Sequence, residues 1–359
     1  MDKTLQKQRE SGFELLRILC ITGIIFMHTF GPLNDSLNTA NREISIFVNA
    51  VANAGVTCFI LISGWFGIRF DLGKLIRLDL AVIFYTLLGT LLSGEIGVKS
   101  LILSCIPILS GRYWFLSCYF ALCLFSVFLN PLAETAGKKR LGSLLLLMLF
   151  LFSFLPTFFY YELIPDGGKG FVHMTMIYLI GRYLRLYLTK PLKTGRILAL
   201  YLLSTLVIFT ANTALSVLKG TQMGMFARDN SLFIIASSVL LLLLFRELHF
   251  HCPVINHLAG NVMPLYVFES FVRMYILNRL IRLDAHTGSP LLIAYVAGYA
   301  VLTVIICMAV NELRRLTVAH LDDRIAALLM KGYRSATPGV TRLGQNACTR
   351  LCHYLEGTK

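Results

Sequence analysis

The sequence has few charged residues, and this shortage excludes an ordinary soluble globular protein. Only 14% of its 359 residues are charged and 56% are apolar, and the mean hydropathy is +0.70. Soluble domains carry charge on about a quarter of their residues. Several apolar runs approach or exceed the ~20 residues that cross about 30 Å of hydrocarbon. The composition therefore predicts an all-α integral membrane protein, a polytopic bundle of transmembrane helices.

The sequence also lacks the patterns that would indicate disulfides, metal binding or secretion. Its nine cysteines show no pairing pattern. Cys348 and Cys352 precede His353, but no second ligand pair accompanies them, so no metal site is expected. The polar start leads into the first apolar run without a small-residue cleavage site, so a secretory signal peptide is not expected either. No internal repeat and no large soluble catalytic domain is visible.

The apolar segments predict about ten spans, with both termini in the cytoplasm. They lie near residues 14–34, 44–66, 75–94, 113–132, 142–161, 171–189, 196–217, 230–248, 256–281 and 288–312. The short apolar stretch near 98–110 is expected to be re-entrant or interfacial. With this topology, lysine and arginine are about three times as frequent on the cytoplasmic side as outside, which agrees with the positive-inside rule.

The excess of positive charge has a topological explanation. The formal net charge is +14. Because most of this charge lies on the predicted cytoplasmic side, it indicates contact with anionic lipids rather than nucleic acid. The chain is expected to divide into a membrane domain over residues 1–312 and a basic cytoplasmic tail over residues 313–359. Within the tail, LDDRIAALLMKGYR is expected to form an amphipathic helix.

Two ionisable residues lie inside the first apolar segment, ELLRILCITGIIFMHTFG. Arg17 and His28 are eleven positions apart, which places both on one face of a helix and about 16.5 Å apart along its axis. Arginine matches phosphate oxygens, and histidine suits proton transfer near neutral pH. This pair therefore predicts a site for an anionic ligand that enters from the cytoplasm. The alternative is that Arg17 snorkels to lipid phosphate and His28 hydrogen-bonds between helices.

The same residues resemble the membrane acyltransferase-3 family, in which arginine, ten residues and histidine form a signature. Five segments resemble that family in its order, between about residues 10 and 310. They are SGFELLRILCITGIIFMHTFG, CFILISGWFGIRFDLGKLIRL, GRYWFLSCYFALCLFSVFLNPL, IYLIGRYLRLY and ARDNSLFIIASSVLLLLLF. The third is similar to a helix of exopolysaccharide and O-antigen O-acetyltransferases.

The resemblance implies a donor of the acetyl-CoA type, bound from the cytoplasm, and an acceptor at the outer face. Arg17 and His28 would carry over as the family's functional pair, with His28 acting either as general base or as acyl relay. The family's basic Arg-x-x-Arg loop corresponds to Lys74 through Arg77, preceded by Arg69. These three cations would hold the CoA phosphates. A plain positive-inside loop is the alternative.

One position departs from the family near the ninth predicted span. Where many members carry histidine, LAGNVMPLYVFES places Glu269. The carboxylate is expected to orient His28 or to stabilise its imidazolium, which would make Glu269 part of the catalytic set. The alternative is an ion pair with Arg273, four residues further along the same helix.

The predicted outer side offers candidate acceptor-binding residues. Arg112, Tyr113 and Trp114 lie together there, and Arg112 would suit an acidic sugar. An interfacial aromatic belt is the alternative for the two aromatic residues.

Three further polar or small residues receive structural explanations. Asp229 precedes an apolar run and is expected to cap a helix, as is its neighbour Asn230. Gly64 is expected to permit close helix packing.

The expected function is therefore a bacterial inner-membrane O-acyltransferase. It would move an acetyl or similar short acyl group to a hydroxyl of a cell-surface or secreted glycan, or of its lipid-linked precursor. Glycan-assembly partners or a homo-oligomer are further expectations. The alternatives are a multi-span transporter or flippase, in which the ionisable residues serve a permeation path, and a scaffolding protein that has lost catalysis.

Overall fold

The computed structural model describes residues 10–94 and 96–333 and contains only helices and connecting segments there. Helical residues make up 81% of the described residues, and no strand occurs among them. This confirms the all-α class. The first half contains α1 (Ser11–Phe30), a 3₁₀ turn (Gly31–Ser36), α2 (Thr39–Ala52), α3 (Ala54–Phe66), α4 (Leu72–Ser93), α5 (Val98–Cys105), α6 (Trp114–Thr135), α7 (Gly137–Leu149), a π segment (Phe150–Phe154) and α8 (Leu155–Phe158).

The second half is equally helical. It contains α9 (Phe171–Tyr187), α10 (Thr194–Lys219), a 3₁₀ turn (Met225–Ala227), α11 (Leu232–Arg246), α12 (Pro253–Leu258), a 3₁₀ turn (Ala259–Asn261), α13 (Val262–Phe271), a π segment (Val272–Leu277), α14 (Asn278–Leu280), a 3₁₀ turn (Leu283–His286) and α15 (Leu292–Thr317). A last helix covers residues 319–333, which confirms the helix predicted in the tail. Because α15 runs to Thr317, the predicted domain boundary at residue 312 falls inside a helix.

Eight helices in the described residues are long and apolar enough to cross a membrane. They are Ser11–Ser36, Thr39–Phe66, Leu72–Ser93, Trp114–Thr135, Gly137–Phe158, Thr194–Lys219, Met225–Arg246 and Leu292–Thr317. The predicted sixth span corresponds to the shorter helix α9, of 17 residues. The predicted ninth span is broken into α12, α13 and α14. A multi-pass membrane protein is therefore shown, while the count of ten and the cytoplasmic termini stay predictions.

The broken ninth segment has local causes in its sequence. Pro253 occupies the first turn of α12, and a 3₁₀ turn separates α12 from α13. After α13 the backbone widens into the π segment that carries Arg273. Such π segments inside helices are rare and frequently lie at functional sites. The irregular backbone places Glu269 and Arg273 beside α1.

Helix α1 is central to the bundle, since it packs against α2, α3, α11, α13 and α15. Its amino-terminal end is fixed by Ser11, whose hydroxyl donates to Asn256 Oδ1 at 2.9 Å. We call the end of the bundle where α1 begins the amino-terminal end. Successive membrane-crossing segments run in opposite directions, with α2 and α3 forming one segment and α12, α13 and α14 forming another. Helix α4 therefore begins at the amino-terminal end, and α15 ends there.

Close packing of α3 on α9 depends on two glycines, as expected for Gly64. A Cβ at Gly64 would lie well inside contact distance of the Tyr178 carbonyl oxygen and 3.1 Å from Gly181 Cα. The two backbones therefore approach as closely as small residues allow, which is a common basis of helix association in membranes.

Substitution of Gly64 with alanine is expected to destabilise the protein by about 1–3 kcal/mol, because the added methyl group overpacks the α3–α9 contact. The measurement is the thermal unfolding midpoint in detergent. Gly298→Ala is the matched control, since nothing lies within 4 Å of its Cβ position on α15. Equal midpoints for the two variants would contradict this account of the contact.

Candidate active site

A cavity of about 380 Å³ lies inside the bundle. We call it the main cavity. One stripe of α1 forms a wall of it, with Arg17, Ile21, Ile24 and His28 spaced as one helix face. The predicted shared face of Arg17 and His28 is therefore confirmed, and both side chains border the same space.

Three other parts of the fold supply most of the remaining wall of the main cavity, and most of their lining is apolar or aromatic. From α3 come Val56, Phe59 and Ser63, from α6 come Trp114, Phe115 and Tyr119, and from the broken ninth segment come Gly260, Met263 and Tyr266. An apolar channel with a few polar groups is typical of a small-molecule site.

The main cavity runs along α1 from the turn that carries Arg17 to the turn that carries His28. Arg17 lies six residues into α1, about 9 Å from the amino-terminal end at 1.5 Å per residue. Lys169 and Asp229 also line the cavity. Asp229 contacts Asn53 at the junction of α2 and α3, in the middle of the Thr39–Phe66 span, so Asp229 lies near the mid-depth of the bundle.

His28, Glu269 and Arg273 form one connected group. His28 Nδ1 lies 3.0 Å from Glu269 Oε1, and Arg273 Nε donates a hydrogen bond to Glu269 Oε2. Arg273 also donates from Nη1 to the His28 carbonyl oxygen at 2.9 Å. The two interpretations of Glu269 that the sequence left open are thus both present, because its two oxygens serve different partners.

Glu269 is buried, whereas the His28 ring is partly exposed beside it. The Glu269 side chain is 6% exposed and that of His28 is 40% exposed. Tyr299 extends the support, since its hydroxyl donates to the Arg273 carbonyl oxygen at 2.8 Å. A carboxylate on Nδ1 holds the imidazole proton there and leaves Nε2 to accept a proton. This is how a buried carboxylate orients a catalytic histidine.

Arg17 is held in place by its own helix. Its Nη1 lies 3.3 Å from Glu14 Oε1, one turn earlier, and the Arg17 side chain is 27% exposed. The guanidinium carries five N–H donors, so this pair does not exhaust it. Arg17 thus offers a fixed positive charge at the wall of the main cavity.

The predicted basic loop lies near the amino-terminal end but outside the main cavity. Lys74 pairs with Asp71 at 3.9 Å, and Arg77 pairs with Asp323 at 3.7 Å. Arg69 is exposed. Within the described residues, none of the three cations lines the main cavity. Their role in holding CoA phosphates stays a prediction.

The three residues predicted to bind the acceptor at the outer side do not all border the main cavity. Trp114 lines the main cavity, whereas Arg112 and Tyr113 are not among the described residues that do so. Arg112 lies over the Phe271 ring, 5.1 Å from its centroid. Tyr113 is buried and receives a hydrogen bond from Thr86 at 3.2 Å. Acceptor binding by Arg112, Tyr113 and Trp114 stays a prediction.

The capping role expected of Asp229 and Asn230 is wrong. Helix α11 begins at Leu232 with Ser231 at its N-cap position. Asp229 instead accepts a hydrogen bond from Asn53 Nδ2 at 3.3 Å, and both residues line the main cavity with Lys169. Sequence reasoning missed Asn53 and Lys169 because neither lies in a motif or a regular spacing.

No group of three metal-ligating side chains occurs in residues 10–94 and 96–333. Cys348, Cys352 and His353 lie outside the described residues. The buried cysteines that the structure describes, such as Cys20, Cys58 and Cys307, are free thiols and fill space in the apolar interior.

Comparison with known proteins gives one match. The sequence matches the family described as an acyltransferase domain, of the acyltransferase-3 type, over residues 10–312. No curated protein and no solved structure matches the chain. The match covers every helix that lines the main cavity, together with Arg17, His28 and Glu269. The chain therefore belongs to the acyltransferase-3 family of membrane acyltransferases.

Proposed function

We propose that the protein transfers an acetyl or similar short acyl group from cytoplasmic acyl-CoA to a hydroxyl group of a glycan or its lipid-linked precursor. The observation that carries this proposal is the main cavity, because Arg17 and His28 line one space along α1. A donor entering from the amino-terminal end and an acceptor entering from the other end would meet beside His28.

The donor is expected to thread along α1. Arg17 would attract its negatively charged phosphates at the cytoplasmic side. The separation of about 16.5 Å between Arg17 and His28 along the helix leaves room for an extended pantetheine arm. The acyl thioester would then lie beside the imidazole. The mostly apolar wall would exclude water and protect the thioester from hydrolysis.

The imidazole of His28 would act as general base. Its Nε2 takes the proton of the acceptor hydroxyl while the hydroxyl oxygen bonds to the thioester carbonyl carbon. The carbon–sulfur bond then breaks, and the CoA thiolate leaves and recovers the proton from His28. Glu269 stabilises the imidazolium between these two events, and Arg273 holds Glu269 in place through its hydrogen bond. The products are an ester and free CoA.

The acceptor would approach from the opposite end of the bundle, because α1 ends there at Phe30, two residues after His28. Trp114, Lys169 and Asp229 border the main cavity. An indole ring with charged groups is suited to a polyhydroxylated sugar, by stacking and by hydrogen bonding. We infer that the protein lies in the bacterial inner membrane and that the cationic residues on its cytoplasmic side contact anionic lipids. It would act alone, with glycan-assembly partners or as a homo-oligomer.

The test is transfer of label from radiolabelled acetyl-CoA to membrane glycan extracts by purified protein in nanodiscs. Ester-linked label in the glycan fraction, removed by mild alkali, supports the proposal. If acetyl-CoA and other short acyl-CoA donors are neither bound nor consumed, the proposal is wrong. Saccharide flux across proteoliposomes under those conditions would favour a transporter instead.

Arg17→Gln is expected to raise the KM for acyl-CoA about 10–100-fold, because a charge-assisted contact to phosphate contributes about 1.5–3 kcal/mol. The rate at saturating donor should change much less, since Arg17 lies far from the reacting atoms. The measurement is initial rate against donor concentration. Arg185→Gln on α9 is the control, because Arg185 lies over the Trp65 ring. An unchanged KM in Arg17→Gln would remove Arg17 from the donor path.

A further inference from the structure

A second pocket opens at the amino-terminal end of the bundle. It has a volume of about 480 Å³ and lies between the start of the broken ninth segment and the end of α15. Its charged or titratable lining residues are His257, Arg314 and Arg315, and Asn256 and Asn311 add amide groups. The residues that line it include neither Arg17 and His28 of the first helix nor the cations of the basic loop. A pocket with this lining is suited to an anion.

Arg314 is the central feature of the second pocket. It is 7% exposed, and its Nε has no hydrogen-bond partner among the described residues. Asp322 on the helix at residues 319–333 accepts a hydrogen bond from its Nη2. The guanidinium lies over Phe84, 5.3 Å from the ring centroid. It is therefore fixed in position while one of its donors stays unsatisfied, which is costly unless a ligand completes it.

The side chains of Arg315 and His257 share a single carboxylate. Glu312 accepts from Arg315 Nη1 at 3.0 Å and lies 3.2 Å from His257 Nε2. The side chains of Arg315 and His257 are 48% and 53% exposed. Exposed ion pairs contribute little stability, so an incoming anion displaces them at small cost. Arg315 is thus free to turn toward a ligand in the pocket.

The second pocket adjoins the main cavity. Gly260 and Met263 line both spaces, and nothing lies within 4 Å of the position that a Cβ on Gly260 would take. The two spaces are therefore separated only by the short 3₁₀ turn and the first residues of α13. A ligand that occupies both spaces would pass beside Gly260.

We propose that the second pocket binds the 3′-phosphate and adenosine end of the acyl-CoA donor, with Arg314 and Arg315 as the phosphate ligands. This inference rests on the proposed function and adds a site outside the basic loop at Arg69, Lys74 and Arg77. Arginine is suited to a phosphate monoester because its planar fork bonds two oxygens at once. The pantetheine arm then passes Gly260 toward His28.

The experiment compares binding of CoA with binding of dephospho-CoA, which lacks the 3′-phosphate, by titration calorimetry in phosphatidylcholine nanodiscs. Wild type is expected to bind CoA at least tenfold more tightly than dephospho-CoA. In Arg315→Gln and in Arg314→Lys the ratio of the affinity for CoA to that for dephospho-CoA should fall toward one, while the affinity for dephospho-CoA stays the same. The control is Arg324→Gln at an exposed position, and its ratio should equal that of wild type. Unfolding midpoints establish that each variant is folded.

Each other result has a definite meaning. A wild-type ratio near one, or a ratio unchanged in both pocket variants, overturns the pocket even if acyl transfer is observed. A ratio that falls only in Arg77→Gln assigns the phosphate to the basic loop and also overturns it. Wild type that binds neither compound overturns the proposed function and this inference with it. Phosphatidic acid vesicles could instead raise the unfolding midpoint of wild type but not of Arg315→Gln, with no preference for CoA over dephospho-CoA. That result would assign the pocket to a lipid phosphate.

Discussion

Substitution of His28 with alanine is expected to lower the rate of acyl transfer by a factor of about 10²–10⁴, the usual contribution of a general base. The imidazole is the titratable group that borders the main cavity and is oriented by a buried carboxylate, so its loss leaves the acceptor hydroxyl without a proton acceptor. The measurement is transfer of radiolabelled acetyl groups to glycan extract at saturating donor. Donor affinity should stay within a few-fold of wild type, because the phosphates lie at the other end of the path.

The control for His28→Ala is another histidine outside the main cavity. His286 stacks on Tyr295 with their ring centroids 4.5 Å apart, and it lies in the 3₁₀ turn before α15. His286→Ala should transfer acyl groups at nearly the wild-type rate. Wild-type transfer by folded His28→Ala would show that the histidine is not the base. Covalent label retained on wild-type protein and lost in His28→Ala would instead identify His28 as an acyl relay.

Glu269→Gln is expected to reduce acyl transfer by about 10–100-fold or more. Glutamine keeps the shape of the side chain but removes the negative charge that stabilises the imidazolium, and its amide no longer fixes the tautomer of His28. The Arg273 guanidinium, whose side chain is 12% exposed, then lacks its counter-ion. Truncating one partner of a buried pair is costly for stability, so the unfolding midpoint should fall as well.

A charge-neutral double variant separates the two effects of Glu269→Gln. In Glu269→Gln with Arg273→Gln no uncompensated charge stays buried, and the unfolding midpoint should recover part of its loss. The rate of acyl transfer should stay low, because the carboxylate on His28 Nδ1 is still absent. Recovery of the rate together with the midpoint would mean that Glu269 acts only as a partner for Arg273. Initial rates and unfolding midpoints measured on the same preparations decide between these results.

Much of the architecture was predictable from local sequence. The apolar runs of about twenty residues, the eleven-residue spacing of Arg17 and His28, and the small residue at Gly64 each act through helix geometry and hydropathy. The structure confirms an all-α membrane bundle, a shared face for Arg17 and His28, and a close α3–α9 contact through Gly64. The five resembling segments also led to the family that the match over residues 10–312 shows.

Other parts of the site depend on contacts between distant segments. His28 and Glu269 are 241 residues apart in the chain, and Asn53 and Asp229 are 176 apart. A sequence spacing specifies neighbours only within one helix, so it could offer the Glu269–Arg273 pair and the Glu269–His28 pair only as alternatives. The structure has both, because the π segment turns Arg273 so that it contacts the carboxylate and the carbonyl oxygen of His28.

The sequence by itself determined that this protein is helical, embedded in a membrane, and equipped with an arginine and a histidine on one face of its first helix. Hydropathy and helical periodicity are local properties, and they are sufficient for those conclusions. Only the tertiary structure decided that the face borders a cavity, that Glu269 contacts His28, and that Asp229 lines the cavity instead of capping α11. These features depend on which helices pack together, and packing joins residues that the chain keeps far apart.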